Sequence, residues 1–190
     1  MRLGRRRKSD VYEVTTRLPA RAVAAERPSF NAVAEQHLDD VHAYLVYLTG
    51  DRSLAEDLTA EAFEKAFRRW RRFDPRRAGA RTWLCQIARS TALDHFRAEE
   101  RRRRREGSYA LSESAEAEEP LFGEGFSPRL DAALRELSAA EREVIALRIV
   151  LDLDGETAAR LLGISTTACA TRLSRALKKL QEKVELDVVA

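Results

Sequence analysis

The stretch TWLCQIARSTALDHFRAEERRRRR, which occupies residues 82–105, combines an apolar pattern with a terminal run of arginines. Its apolar side chains recur at steps of three and four residues, which predicts a helix with one buried face. The predicted helix ends in five consecutive basic residues, Arg101, Arg102, Arg103, Arg104 and Arg105. Aromatic side chains interleaved with basic charge are typical of surfaces that hold phosphates and stack on exposed bases. The stretch therefore predicts a helical fold with a polyanionic partner.

Two more helices are predicted on the N-terminal side of this stretch. In the first, apolar residues recur at helical spacing until Gly50 stops the pattern. Ser53 and Glu56 form a capping-box pattern that opens the second helix, which we expect to end near Phe73, before an Asp-Pro pair. Three amphipathic helices can bury a common core, so residues 30–105 are predicted to form the first domain.

Charge is distributed unevenly along the 190 residues. Residues 1–29 carry eight basic and three acidic side chains without a sustained apolar period, which predicts a mobile basic arm. Residues 30–105 carry sixteen basic and twelve acidic side chains, whereas residues 106–128 carry six acidic side chains and no basic one. The acidic segment is expected to be a flexible linker between two separate domains. Residues 129–184 should form the second domain, and residues 185–190 a short tail.

The second domain is predicted to contain four helices, with Ser138 and Glu141 as a capping box. Within it, a short apolar-faced helix is followed by Gly163, which can adopt a positive φ and end that helix. Ser165 can then cap the final helix. This order is typical of a DNA-reading helix-turn-helix, although an ordinary helical hairpin with solvated charges would have a similar pattern.

The final helix divides into an apolar stripe and a polar surface. The predicted stripe consists of Cys169, Leu173, Ala176, Leu177, Leu180 and Val184. The candidate DNA-binding residues on the remaining surface are Thr166, Thr167, Ala170, Thr171, Arg172, Arg175, Lys178 and Lys179.

Composition indicates an all-α protein, because Ala, Leu, Arg and Glu dominate and aromatic residues make up only 7%. The two cysteines are far apart and the three histidines form no ligand spacing, so neither a disulfide framework nor a metal site is expected. No nucleophile elbow or phosphate-binding glycine loop is present, which argues against an enzyme. Without a membrane-length apolar run or signal peptide, we expect a cytoplasmic protein that needs no cofactor.

Several segments, in their order, resemble the extracytoplasmic-function group of bacterial RNA polymerase sigma factors, within the sigma-70 superfamily. In the first domain they are AEDLTAEAF at 55–63, TWLCQIAR at 82–89 and DHFR at 94–97. In the second they are LS at 137–138, EREV at 141–144, LR at 147–148, LGIS at 162–165 and RLSRA at 172–176. The resemblance implies two small helical domains, sigma region 2 and sigma region 4, that direct core polymerase to promoters without catalysing a reaction.

The resemblance also implies partners and contact residues. The second helix of region 2 docks on the polymerase clamp in this family, which implicates Asp57, Glu61 and Lys65, although such carboxylates also commonly decorate a solvated face. The third helix and its preceding loop would hold the melted nontemplate strand of the minus-ten element through Arg76, Arg77, Arg81, Arg89, Ser90, Asp94 and Arg97. Trp83 and Ile87 would support the core. Region 4 would read the minus-thirty-five element, the linker would cross the polymerase cleft, and an anti-sigma factor would regulate the protein.

Four positions depart from the usual pattern of the family and leave the promoter preference open. They are Ala60, Ala80, Ser90 and Ala170, in place of a glutamine, an aromatic residue, an asparagine and a lysine. Two alternatives follow from the sequence. One is a stand-alone helix-turn-helix regulator, which leaves the first domain unexplained. The other is a sigma-like interaction protein without promoter activity.

Overall fold

The structure is a computed structural model that describes residues 28–106, 121–122 and 127–186. These ranges form seven α-helices and no strand, which confirms the all-α prediction. The helices are α1 (Phe30–Thr49), α2 (Arg52–Arg69), α3 (Ala80–Glu106), α4 (Pro128–Arg135), α5 (Ala139–Ile145), α6 (Gly155–Leu162) and α7 (Thr166–Leu186). A 3-10 turn, Trp70–Arg72, extends α2, and a π turn, Ala146–Val150, extends α5. Most of the predicted arm, acidic linker and tail lies outside the described residues.

Local capping interactions set the helix boundaries in the first domain. Gly50 ends α1 with a φ of 70°, as predicted from the sequence. The predicted cap of α2 at Ser53 is wrong, because Asp51 is the N-cap and its Oδ1 accepts a hydrogen bond from the Leu54 amide at 3.0 Å. Asp51 has an extended backbone immediately after the left-handed Gly50, so the helix begins earlier than the Ser-Glu spacing indicates.

The core of the first domain lies between α1, α2 and α3. Tyr44 and Leu45 of α1, Leu58 of α2 and Leu84 of α3 are all almost fully buried. Burying such side chains stabilises each by about 1.5–3 kcal/mol relative to exposure. This packing fixes the orientation of α3 and therefore decides which of its side chains face outward.

The predicted caps of the second domain are confirmed. Ser138 and Glu141 form the capping box of α5. Gly163 ends α6 with a φ of 69°, and the Ser165 hydroxyl accepts a hydrogen bond from the Ala168 amide at 3.1 Å. The predicted apolar stripe of α7 is wrong at Leu177, which is 40% exposed. That side chain lines an open surface cleft, whereas Ala176 is buried and Leu180 packs against the core, so Leu177 lies outside the buried face of α7.

The expectation of two domains without mutual contact is wrong, because the two domains pack together. Helix α1 lies against α5 and the π turn, and α3 contacts α6. One hydrophobic core therefore includes side chains from both domains. The end of the predicted linker also packs: Leu121 and Phe122 are buried, and their amides donate to the Asp131 carboxylate at 2.6 and 3.0 Å. Phe122 lies against Tyr47 of α1, with 4.9 Å between ring centroids.

Candidate nucleic-acid interface

The polar residues predicted to hold a DNA strand lie on the outer side of α3 and on the loop before it. Ser90, Asp94 and Arg97 are exposed, and Asp94 pairs with Arg97 at 3.1 Å. On the loop, the side chains of Arg76 and Arg77 extend into solvent, and Arg77 lies 3.6 Å from Asp74. These weak surface pairs leave the guanidinium groups accessible to a phosphate.

The aromatic side chains of this region belong to the core. Trp83 contacts Trp70 and Phe73, with ring centroids 5.8 and 5.1 Å apart, and Ile87 is buried. The prediction that Trp83 and Ile87 support the core is confirmed. Arg81 lies beside this cluster and pairs with Asp40 of α1 at 3.7 Å, so it is only partly exposed.

The five arginines at 101–105 occupy the last turns of α3, and all are exposed. Glu99 pairs with Arg102 at 3.0 Å and Arg103 at 3.4 Å, and Glu100 pairs with Arg104 at 2.8 Å. Two carboxylates therefore face five guanidinium groups, and this end of the helix keeps an excess of positive charge. Exposed pairs of this kind exchange readily for phosphate contacts.

Arg89 differs from the other predicted strand contacts because it is turned into the interface between the domains. Its Nε donates to Oε1 of Glu143 in α5 at 2.7 Å, and only 24% of its side chain is exposed. The Tyr44 hydroxyl donates to the same oxygen at 2.8 Å. Burial raises the pKa of Tyr44 well above its usual value, and the neighbouring Glu143 carboxylate raises it further. Glu143 therefore accepts two hydrogen bonds from region 2.

Arg142, the neighbour of Glu143, also joins the domains. Its Nε donates to the carbonyl of Tyr47 at 2.8 Å, and its Nη1 donates to the carbonyl of Leu137. Burial lowers the pKa of Arg142, and its guanidinium group lies against the last turn of α1, where helix carbonyls concentrate negative charge. No contact of Tyr44, Arg142 or Glu143 is predicted from the sequence. The signal available there is a pair of opposite charges directly before the apolar Val144.

A cleft of about 300 Å³ separates α6 from the predicted strand-binding surface. Arg77 and Gln86 line it from region 2, and Thr157, Arg160 and Leu161 line it from α6. The second domain therefore lies beside Arg77, whose side chain stays 87% exposed.

The residues expected to bind polymerase lie on α2. Asp57 is exposed, whereas Glu61 pairs with Lys65 at 2.7 Å. Lys65 also donates to the Thr91 hydroxyl of α3 at 3.2 Å, so it links two helices as well as facing outward. The same helix exposes 63% of Phe67, a large apolar side chain.

The N-terminal part of α7 is open to solvent. Every candidate DNA-binding residue of this helix is exposed except Arg172, which is half-buried. Lys178 pairs with Glu182 at 3.7 Å, and Lys179 pairs with Glu141 of α5. Among the described residues, Arg172 and Arg175 take part in no ion pair, which leaves both for an anionic ligand.

Family comparisons agree with this geometry. The family model for Sigma-70 region 2 matches residues 33–102, and the model for Sigma-70 region 4 matches residues 127–180. The chain is 32% identical to the ECF RNA polymerase sigma factor BldN of Streptomyces coelicolor over 86% of its own length. It is also 26% identical to SigX of Bacillus subtilis over 83%. The chain belongs to the sigma-70 family, and BldN and SigX are members of its extracytoplasmic-function group.

This sigma factor spans 63% of the length of BldN and 84% of the length of SigX. It also resembles the solved structure of the sigma factor RpoE in complex with the anti-sigma factor NepR from Bartonella quintana. The TM-score is 0.72 at 26% identity, over 83% of this chain and 98% of RpoE. None of the helices in the described ranges has both the length and the apolar character needed to cross a membrane.

Proposed function

We propose that this chain is a promoter-specificity factor that binds core RNA polymerase and directs transcription initiation. The observation that carries the proposal is the matched pair of regions in family order, residues 33–102 and 127–180, each with basic side chains at its surface. In this role region 2 contacts the polymerase through α2, and region 4 reads the minus-thirty-five duplex through α7. The polymerase supplies the chemistry, so the sigma factor itself is not a catalyst.

Helix α7 fits a duplex because its exposed N-terminal turns are small and polar, followed by Arg172 and Arg175. A recognition helix enters the major groove with its N-terminal residues towards the base edges. The outer side of α3 and its loop fit a melted strand, because basic side chains there can neutralise successive phosphates. Binding of the separated strand would offset the free energy of unpairing.

The protein partners follow from the family. The relatives are named RNA polymerase sigma factors, and RpoE was solved with an anti-sigma factor. We extend both partner classes to this chain, namely bacterial core polymerase and a protein antagonist. We therefore place the chain in the cytoplasm, where bacterial core polymerase and promoter DNA are found.

Reconstitution with bacterial core polymerase on a genomic library, followed by mapping of transcript start sites, tests the proposal. The expected result is a set of transcripts that share a promoter sequence and are absent without the chain. Specific duplex binding by the chain alone, without any transcript, would favour a stand-alone regulator. Polymerase binding without specific DNA binding would favour the interaction protein.

A matched pair of variants tests the role of α7. Arg175→Gln should weaken binding to the minus-thirty-five duplex by about 1–3 kcal/mol and relax its sequence preference. Arg129→Gln removes an equally exposed charge from α4 of the same domain and should leave the preference unchanged. Equal losses in the two variants would contradict base reading by α7.

A further inference from the structure

The cleft of about 300 Å³ between the two domains has a cationic and aromatic lining that promoter recognition leaves largely unused. Its region 2 wall includes Arg72, Arg77 and Trp83, and its α6 wall includes Thr157 and Arg160. Of these five residues, only Arg77 belongs to the assigned strand contacts. The volume lies at the lower end of the range for small-molecule sites, which commonly form between domains, so the cleft suits a single small ligand.

Positive charge predominates in this cleft. It is lined by the guanidinium groups of Arg72, Arg77 and Arg160, and Asp74 is the one carboxylate among the described lining residues. Arg77 lies 3.6 Å from Asp74, and Arg160 pairs with Glu156 at 3.2 Å on the exposed side of α6. Within the described ranges, Arg72 forms no ion pair. Exposed pairs of this kind contribute little to stability, so all three guanidinium groups remain accessible to an anion.

The three guanidinium groups come from separate elements of the fold. Arg72 belongs to the 3-10 turn after α2, Arg77 to the loop before α3, and Arg160 to α6. A guanidinium group can donate two parallel hydrogen bonds to the oxygens of one phosphate. Three such groups around one cleft can therefore bind the several oxygens of a diphosphate better than a single carboxylate.

An indole ring and uncharged polar groups lie beside these cations. Trp83 is half-buried, and Trp70 and Phe73 meet it at tilted angles of 58° and 45°. Neither neighbouring ring is therefore stacked parallel on the indole. Gln86 and Thr157 contribute an amide and a hydroxyl group from the two walls of the cleft. An aromatic ring together with such groups can hold a planar heterocycle through stacking and hydrogen bonds.

We propose that this cleft binds a free nucleoside diphosphate, with its phosphates on the guanidinium groups and its base against Trp83. A nucleotide of single-stranded DNA carries the same chemistry. The free nucleotide fits better, because α6 forms one wall of the cleft and the volume corresponds to one nucleotide, whereas a strand also needs space for its neighbouring nucleotides. Each domain contributes side chains to the site, so the bound nucleotide joins the two domains.

Isothermal titration calorimetry of the full chain with guanosine and adenosine 5′-diphosphates tests the proposal. It needs neither polymerase nor a promoter, so its outcome is independent of the proposed function. Arg72→Gln and Arg160→Gln should each weaken binding about tenfold, because each removes charge-assisted hydrogen bonds to phosphate. Arg129→Gln is the control, since it removes an exposed charge from α4, outside the cleft, and should leave the affinity unchanged. Circular dichroism establishes that each variant is folded.

Two further ligands identify the part of the nucleotide that is recognised. Inorganic pyrophosphate should bind about tenfold more weakly than either nucleotide, because it has no base to stack on Trp83. Single-stranded DNA of mixed sequence should bind with the same affinity to Arg160→Gln as to the wild type. A loss of DNA affinity in Arg160→Gln, without nucleotide binding by the wild type, would place a strand nucleotide in the cleft and overturn the proposal.

Three other results would also overturn it. They are the absence of binding by both nucleotides at about 1 mM, an unchanged nucleotide affinity in Arg160→Gln, and equal affinities for pyrophosphate and the nucleotides. The last result would mean that the cleft attracts anions without recognising a base.

Discussion

Replacing Gly50 by alanine tests how firmly Arg142 is held between the two regions. Gly50 ends α1 with a φ of 70°, a conformation that disfavours any residue with a Cβ atom. A Cβ atom at this position would lie 3.0 Å from Nη2 of Arg142 and 3.4 Å from its Cζ. The guanidinium group cannot withdraw easily, because it is buried and donates to the carbonyls of Tyr47 and Leu137.

The expected magnitude has two parts. The left-handed backbone costs a non-glycine residue about 1–2 kcal/mol, partly offset by about 0.4–1 kcal/mol from the lower entropy of the unfolded chain. Displacing Arg142 from the Tyr47 carbonyl removes a hydrogen bond from a charged donor, worth about 1.5–3 kcal/mol. Gly50→Ala should therefore destabilise the protein by about 3 kcal/mol in total.

Gly163→Ala is the matched control. Gly163 ends α6 with a φ of 69°, and nothing lies within 4 Å of the position of its added Cβ atom. Its substitution carries only the backbone cost, about 1 kcal/mol. Urea unfolding of both variants, followed by circular dichroism, measures the difference, which we expect to be about 2 kcal/mol. Equal losses would refute the argument that Arg142 is fixed by its carbonyl partners.

Three further predictions concern acid stability, thiol reactivity and salt dependence. Hydrogen bonding to Lys179 lowers the pKa of Glu141 to about 2. The ionised Glu141 therefore stabilises the folded protein fully above a pH of about 4.5, and this contribution declines as the pH falls towards 2. Glu141→Gln should lower the free energy of unfolding by about 1 kcal/mol at pH 7 and make that free energy less dependent on pH in the acid range. Urea unfolding at several pH values measures this, and a pH dependence equal to that of the wild type would contradict the prediction. Burial raises the pKa of Cys85 to about 12, and Cys169 is equally buried. Both thiols should therefore react with a thiol reagent only after unfolding in urea, and rapid labelling of the native protein would argue otherwise. Replacing the arginines at 101–105 with glutamine should weaken DNA binding with little change in sequence preference. The salt slope should fall by about 0.7 for each phosphate of a single strand that these arginines neutralise in the wild type. A slope equal to that of the wild type would show that these residues do not bind phosphates.

The sequence predicts most of the local structure because helix ends depend on a few neighbouring residues. Gly50 and Gly163 end their helices as expected, and Ser138 caps α5. The Ser53–Glu56 spacing predicts a cap of α2 at Ser53, but Asp51 is an equally good N-cap residue and is the one observed. The backbone direction after Gly50 decides between them, and the residue pattern does not contain that information.

The contact between the regions could not be predicted in the same way. Arg89 and Glu143 are 54 residues apart, and their pairing depends on how two domains are oriented. No periodicity in either helix encodes that orientation. The sequence therefore identifies Arg89 as a basic residue on a helix of strand-binding type, and only the structure places a carboxylate against it.

The continuity of α3 fixes a distance within the proposed DNA-binding surface. The helix has 27 residues and is about 40 Å long at a rise of 1.5 Å per residue. Arg89 and Arg103 are therefore about 21 Å apart along the helix axis. The continuous helix sets a fixed distance between its buried half and its arginine-bearing end. Inserting one helical turn between them would move the arginines at 101–105 outward by about 5.4 Å relative to Arg89.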